Sequence, residues 1–382
     1  MDAPSYPRMA LIHDWLTGMR GGEKCLEVAA RRWPHAHLYT LLHKSGSVSP
    51  QIERLTIETS FLQRLPRVDR YYRYLLPLMP FAVNWKLRNY DVILSMSHCV
   101  AKGVIPPKGV PHLCYCFSPM RYAWHLQEAY FGQHRSLKTR IIEQILNHLR
   151  DWDRRSADRV THFIAISKTI QERIQQCYQR ESVVIYPPVD TDFYHPAPVP
   201  REDFYLVVSA FAPYKRIDLA IEACRKLKKK LVIIGDGQDA AKLKTLGNDQ
   251  VQFLGWQSNE SIRDHLQRCQ ALLFPGEEDF GIVPVEANAC GTPVIAFGKG
   301  GATETILPLW AGTAPTGVWF GEQTVESLLI GIRDFERNRG LFQPEICRRQ
   351  ALLFNQQRFQ KELTGYVESV LIQPRKQERR AA

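Results

Sequence analysis

The stretch Phe274-Pro-Gly-Glu-Glu278-Asp-Phe-Gly281-Ile-Val-Pro-Val-Glu286-Ala-Asn-Ala-Cys-Gly291-Thr-Pro-Val294 carries an apolar strand end, an acidic turn and a helix start in direct succession. The apolar run stops at Phe274, and the spacing predicts a helix beginning near Gly281. The first amides of a helix have no partner within it and sit at the positive end of its dipole. Such a terminus can receive phosphate oxygens or sugar hydroxyls. Glu278 falls on the loop before the helix and Glu286 on its second turn, so both carboxylates can face one cleft while doing different work.

The same rhythm extends to both ends of the chain. Short apolar runs predict strands at 9–13, 38–41, 91–96, 112–117 and 161–166. Others follow at 183–186, 204–209, 231–234, 251–254, 271–274 and 293–297. Leu231-Val-Ile-Ile234 and Ala271-Leu-Leu-Phe274 are apolar at every position, as expected of parallel strands covered on both faces. Helical patterns lie between, for example over 215–227 and 259–268. The alternation predicts an α/β protein with two doubly wound, Rossmann-like domains facing across a cleft. Prolines at 187, 188, 196, 198 and 200 interrupt it, and proline does not join a central strand. The expected organisation is therefore an N-terminal domain over 1–186 and a C-terminal domain over 187–349. A final helix over 350–372 is expected to cross back to the first domain, ahead of a basic tail over 373–382.

With 382 residues, 45% hydrophobic and 23% charged, the chain can form two cores and does not belong to the disordered class. A net charge of +11 calls for anionic partners. Nucleic acid is discounted, because no helix-turn-helix, zinc-finger or aromatic RNA-binding signature is present. A phosphorylated substrate and an acidic membrane surface remain. No apolar run approaches the roughly 20 residues of a membrane span, and the most apolar stretch, 74–83, is broken by Pro77 and Pro80. The first residues lack a signal-peptide pattern. Nine cysteines without a CxxC pair read as reduced thiols, with Cys114 and Cys116 as core packing, so a cytoplasmic location is expected.

The string Glu-Asp-Phe-Gly…Glu-Ala…Cys-Gly-Thr-Pro closely resembles the Glu-x7-Glu motif of retaining glycosyltransferase family 4, whose members have the GT-B fold. The resemblance implies that Glu278 contacts the transferred sugar near the reacting centre and that Glu286 holds the ribose hydroxyls. It puts the amides of Phe280 and Gly281, with Ile282 beside them, on the sugar. Two surface glutamates are the bland alternative, and the length of the matching string speaks against it. Ser209-Ala-Phe-Ala-Pro-Tyr-Lys215-Arg216 resembles the family's diphosphate-gripping element. Lys215 is then the donor-phosphate lysine, a point charge on the departing phosphate, with a solvated lysine as the alternative. Val232-Ile-Ile-Gly235-Asp-Gly237 resembles the next βα turn, and Gly298-Lys299-Gly-Gly301-Ala-Thr-Glu304 the family's Gly-Gly…Glu loop near the nucleotide. Gly255-Trp256 ends the strand whose backbone reads the base in that family. The resemblance covers nearly the whole chain and is strongest over 207–306.

In the first half, Ile12-His-Asp-Trp-Leu-Thr-Gly18-Met-Arg20-Gly21-Gly22-Glu-Lys24 reads as a strand and a glycine-rich turn into a helix. Glycines there let amides approach a phosphate, although the dinucleotide spacing G-x-G-x-x-G is missing. By resemblance Gly21 and Gly22 lie against the donor; a tight turn without a ligand is the alternative. His98 stands at a strand's carboxyl end, either as a catalytic group or as a packed or capping one. Cys114-Tyr-Cys-Phe117-Ser-Pro-Met-Arg121-Tyr122 resembles a mannosyltransferase-like branch and puts Arg121 and Tyr122 on the sugar or acceptor side.

The resemblance thus implies a metal-independent, retaining hexosyltransferase without a resident cofactor. Its donor is a nucleotide-sugar, GDP-mannose favoured and a UDP-sugar second, and its acceptor a glycan or polyprenyl-linked glycan. Two positions depart from the family: Phe117 replaces the branch's histidine, and Ala210 an arginine five residues before Lys215. Losing one preorganised donor of charge can cost ~3 kcal/mol in the transition state; Arg216, Lys299 or Arg20 are the candidates to replace it. A nucleotide-sugar-binding homologue without turnover is one rival, and a nucleotide-sugar epimerase of the same fold another. Asp190-Thr-Asp192 superficially fits a metal motif, but its proline-rich setting reads as local turn formation. Finally, the run 61–88 is rich in Arg, Tyr, Leu and Trp. It is either a surface for an anionic bilayer, on the inner face of the plasma membrane, or a core helix with a solvated basic edge.

Overall fold

The computed structural model describes residues 7–124, 137–312 and 314–372. The chain divides into two compact units, one running to Pro188 and resuming at Phe359, the other spanning Val189–Arg358. The first unit contains the strands β1 (Met9–His13), β2 (His37–Thr40), β3 (Thr56–Thr59), β4 (Val92–Ser97), β5 (His112–Cys116), β6 (His162–Ala165) and β7 (Ser182–Val184). They form one sheet in the order β3-β2-β1-β4-β5-β6-β7. The second unit contains β8 (Tyr205–Val208), β9 (Leu231–Ile234), β10 (Val251–Gly255), β11 (Leu272–Phe274), β12 (Val294–Phe297) and β13 (Gly317–Phe320). Their order is β10-β9-β8-β11-β12-β13. Every pairing in both sheets is parallel.

The winding of both sheets reverses once, between β1 and β4 in the first and between β8 and β11 in the second. Loops leaving neighbouring strands there turn in opposite directions and open a crevice at the carboxyl ends, the place where open α/β sheets bind ligands. The sequence explains why the central strands lie inside: β1, β4, β5 and β9 are buried at every position. In the second unit Val207, Ile233, Leu273 and Ile295 project into one core, covered by Ile217, Ile221 and Cys224 of the helix Ile217–Leu227 and by Leu328, Ile332 and Phe335 of the helix Val325–Arg337. Each such side chain contributes ~1.5–3 kcal/mol on burial.

Four details differ from the sequence expectations. β3 reads Thr-Ile-Glu-Thr, an edge strand with every second residue exposed, and no apolar run marks it. β13, Gly-Val-Trp-Phe, was not expected either: it is apolar and mostly buried, but it is only four residues long and opens on a glycine. The helix expected from Lys215 begins at Ile217, because Pro213–Lys215 is a 3-10 turn and Arg216 adopts a left-handed conformation with φ of 51°. The final helix is two helices, Pro344–Leu352 and Gln356–Ile372. Asn355 starts the second, its Oδ1 accepting the Arg358 N–H at 2.7 Å. Within the first unit, Phe359 of that helix stacks edge-on against Tyr115 at 5.6 Å and Tyr366 against His162 at 6.1 Å.

Asp190 makes the local turn expected of it, its Oδ1 accepting the Phe193 N–H at 3.0 Å. All nine cysteines are buried and none is in a disulfide. Among the described residues, no helix is long and apolar enough to cross a membrane, and no three His, Cys, Asp or Glu side chains are grouped to hold a metal ion.

Candidate active site

In the second unit the loops after β8 and β11 meet at the reversal point. Lys215 leaves the 3-10 turn after β8, Glu278 leaves the loop after β11, and their side chains form an ion pair between Nζ and Oε1. Both are mostly but not wholly covered, at 13% and 22% exposure. Gly276 makes the approach possible: a Cβ there would lie 2.9 Å from the Lys215 Cα and 3.1 Å from its carbonyl oxygen, so any other residue would push the two loops apart. The crevice lined by Ser209, Lys215, Pro275, Gly276 and Glu278 holds only about 10 Å³, about one water molecule. The ion pair lines it.

The Gly298–Glu304 loop packs on the other side. Gly300 bridges Glu278 as in a parallel strand, and the Gly301 N–H donates to the Glu278 carbonyl at 2.8 Å. Gly301 lies against the Phe280 backbone with no room for a Cβ. These contacts fix the backbone on both sides of Glu278. Gly281, with φ of 82°, caps the helix Ile282–Ala289. Glu286 on that helix is buried, as are Phe280 and Gly281, while Ile282 is half-buried. Burial, then the Glu286 charge, pushes the Tyr194 hydroxyl well above its ordinary range, so the two side chains share one environment.

Other residues singled out in the sequence are not drawn to the ion pair. Arg216 turns away: its Nε and Nη2 donate to Asp218 at 3.2 and 3.1 Å, and Nη1 donates to the Gln323 carbonyl at 3.3 Å. It lines a separate cavity of about 260 Å³ with Pro213, Asp218, Asp239 and Lys242. Lys299 is exposed, its ammonium 5.6 Å from the Phe297 ring centre. Trp256 is 80% exposed after the half-buried Gly255.

In the first unit the reversal point carries a different constellation, of which only His98 stood out in the sequence. Asp14, directly after β1, is fully buried and accepts four backbone N–H groups from the turn after β4. Its Oδ2 takes those of His98 and Cys99 at 2.7 and 3.0 Å, and its Oδ1 those of Val100 and Ala101, both at 2.7 Å. The His98 ring closes the set, Nδ1 lying 3.1 Å from Oδ2. Burial works to raise the Asp14 pKa, but His98, through its charge and hydrogen bonds, and His13 outweigh it and hold the carboxyl at about 2. His98 is thus tied to a capping carboxylate, while its side chain keeps 28% exposure.

His13 faces the other way. Its Nδ1 is 3.1 Å from the Met96 carbonyl and its Nε2 3.5 Å from Oε1 of the buried Glu23. Burial opposes the charged ring, yet Glu23 and Asp14 raise its pKa on balance. Glu23 also accepts the Arg20 N–H at 3.1 Å and so caps the helix Gly21–Arg32. Gly21 and Gly22 form the first turn of that helix, half-buried, with Gly22 packed beside His13 and Phe117. Beyond the turn Lys102 is buried against Asp153, 2.8 Å away. The available signal was a His-Asp pair at the end of an otherwise apolar strand, His13 closing β1 and Asp14 directly following it. Arg121 opens a short helix, Arg121–Trp124, and is half-buried; the Tyr122 side chain lies outside the described residues.

Two family models match successive stretches of the chain: Glycosyltransferase Family 4 over residues 19–193 and Glycosyl transferases group 1 over residues 190–351. The chain belongs to glycosyltransferase family 4, and its two parallel-sheet units have the GT-B architecture. It is 30% identical over 154 residues to an uncharacterized glycosyltransferase of Methanocaldococcus jannaschii, a match covering 39% of this chain and 43% of that one. The chain thus spans less than half the length of that relative. It is 21% identical to the alpha-1,3/1,6-mannosyltransferase ALG2 of Kluyveromyces lactis, over 97% of this chain and 86% of that one. Among solved structures, Anabaena Alr3699/HepE in complex with UDP superposes with a TM-score of 0.70 at 17% identity, over 95% of this chain and 100% of that one.

Proposed function

We propose that this protein transfers a hexose from a nucleotide-sugar to a glycan or polyprenyl-linked acceptor, with retention of configuration. The observation that carries the reading is the Lys215–Glu278 ion pair lining the small crevice at the second unit's reversal point. Two opposite charges held together in so small a space are a resting arrangement that an incoming anion can open. A donor diphosphate would take the Lys215 ammonium as its counter-ion, releasing the Glu278 carboxylate to accept sugar hydroxyls. Glu286 is assigned to the ribose, and the amides at Phe280, Gly281 and Ile282 to the sugar. As the glycosidic bond to the donor breaks, charge grows on the departing phosphate. Lys215 and the helix start at Gly281 stabilise it where it develops, and that phosphate accepts the proton of the attacking acceptor hydroxyl. The protein's own cations carry the electrostatic work, so transfer is expected to persist in excess chelator. Gly21 and Gly22 are assigned to the donor, His98 to catalysis, Gly255 and Trp256 to the base, Lys299 to the nucleotide, and Arg121 and Tyr122 to the sugar or acceptor.

GDP-mannose is the favoured donor: the mannosyltransferase relative and the mannosyltransferase-like string around Arg121 support it. The neighbour solved with UDP makes a UDP-sugar the second choice. A thermal-shift panel of GDP-, UDP-, ADP- and TDP-sugars, followed by transfer assays with the winner, tests the donor. GDP-mannose should give the largest shift, and Glu286→Ala should weaken it about tenfold or more in apparent affinity. No shift with any of the four would overturn the reading.

Binding without turnover is a second reading, and the position of Arg216 favours it. With Ala210 in place of the family's arginine, Arg216 was the nearest substitute, and it is engaged with Asp218 and the Gln323 carbonyl. A donor shift with neither transfer nor hydrolysis in a single-turnover assay would select it.

A further inference from the structure

The run from Phe61 to Ala82 belongs to the first unit and takes no part in the site above. It folds as three 3-10 turns, Phe61–Arg64, Val68–Arg70 and Tyr72–Leu78, followed by the short helix Met79–Ala82. Pro77 and Pro80 prevent a longer helix, so this is neither a core helix nor a regular amphipathic one. One side is anchored: Leu62, Val68, Tyr72, Met79 and Ala82 enter the hydrophobic core. The other side does the opposite of what water favours. Tyr74 is 86% exposed, Phe81 63%, Phe61 52%, Leu78 46% and Leu65 38%. One exposed apolar side chain means little, but five within one short anchored segment mark a surface that meets something.

Charge says what that is. Arg64, Arg67, Arg70 and Arg73 are all exposed between these apolar residues, and no carboxylate pairs with any of them among the described residues. The segment's single acidic residue, Asp69, lies 3.9 Å from Lys44. Alternating arginines and aromatic or aliphatic side chains on an anchored scaffold fit an anionic bilayer, with guanidinium groups on the headgroup phosphates and Tyr, Phe and Leu at the acyl boundary. A soluble acidic protein would satisfy the arginines and leave the five apolar side chains unexplained.

We infer that residues 61–82 form a membrane-docking surface specific for anionic phospholipid. The inference does not rest on the transferase reading, because docking needs neither donor nor acceptor. The test is sedimentation of the full chain with vesicles of phosphatidylcholine alone and with about a third of it replaced by phosphatidylglycerol. Binding should be at least tenfold tighter to the anionic vesicles and should weaken steeply with salt as the Debye length contracts. Each arginine contributes about fivefold, so Arg64, Arg67, Arg70 and Arg73→Ser together should lower affinity at least 100-fold. Tyr74→Ser with Phe81→Ser should also lower it, leaving the remainder more salt-sensitive. All six side chains are exposed, and equal melting temperatures of the variants and the parent serve as the folding control. Equal binding to both vesicle types, or unchanged binding of the arginine variant, would overturn the inference. So would a sedimentation-velocity dimer that the same substitutions dissociate without changing vesicle binding, since the surface would then cover a second copy of this chain.

Discussion

The two reversal points are built on one topology and hold their charges in opposite ways. After β1, Asp14 is fully buried and its oxygens take four backbone amides and a ring nitrogen, so little of its hydrogen-bonding capacity remains for a ligand. After β11, Glu278 is partly exposed and its side chain pairs with a long, flexible type of cation, the Lys215 ammonium. The first arrangement shapes a turn and aims His98; the second can exchange partners. The difference teaches that a carboxylate at a strand's carboxyl end is a structural part when backbone amides saturate it and a candidate for ligand work when a flexible cation does.

Substitution at Asp14 should separate the two most sharply. Asp14→Ala leaves four N–H groups, three of them buried, without an acceptor and should cost ~3–5 kcal/mol in urea unfolding. Lys215→Ala, at a partly exposed pair, should cost about 1 kcal/mol or less. Comparable losses would erase the distinction.

Acid titration gives the next largest effect. The Asp14 carboxyl is held at about 2 against an ordinary 3.8. A lowered carboxyl pKa stabilises the fold above the unfolded value, and the contribution vanishes as pH falls through the folded one. About 2 kcal/mol should therefore be lost between about pH 4 and pH 2, and Asp14→Asn should remove that share of the slope.

His13 gives the smallest effect and the opposite sign. Its pKa is raised from 6.5, with burial opposing and Glu23 driving the rise. The stabilisation is complete below pH 6.5 and declines as pH climbs through the raised value. Melting temperature should fall over that interval in the parent and stay flatter in Glu23→Gln. An identical slope in both would remove the ion pair from the account.

The alternation of apolar runs made both sheets legible, since strands buried on two faces need apolar residues throughout. β3 was not legible, because an edge strand such as Thr56-Ile-Glu-Thr59 buries little. The helix start at Ile217 was hidden by a left-handed Arg216, for which an arginine gives no cue. Glu278 and Lys215 stood out through long motif strings, whereas Asp14 and Glu23 did not. Their work is done by backbone amides contributed from 84 to 87 residues away in the case of Asp14, and a single sequence carries no mark of such a contact.

The central claim is that the Lys215–Glu278 pair opens onto the donor. Paired calorimetry and transfer assays on Glu278→Gln, with the nucleotide-sugar that best stabilises the parent, test it most directly. Donor affinity should stay within about threefold of the parent while transfer falls about 100-fold or more. Transfer at the parental rate would contradict the account.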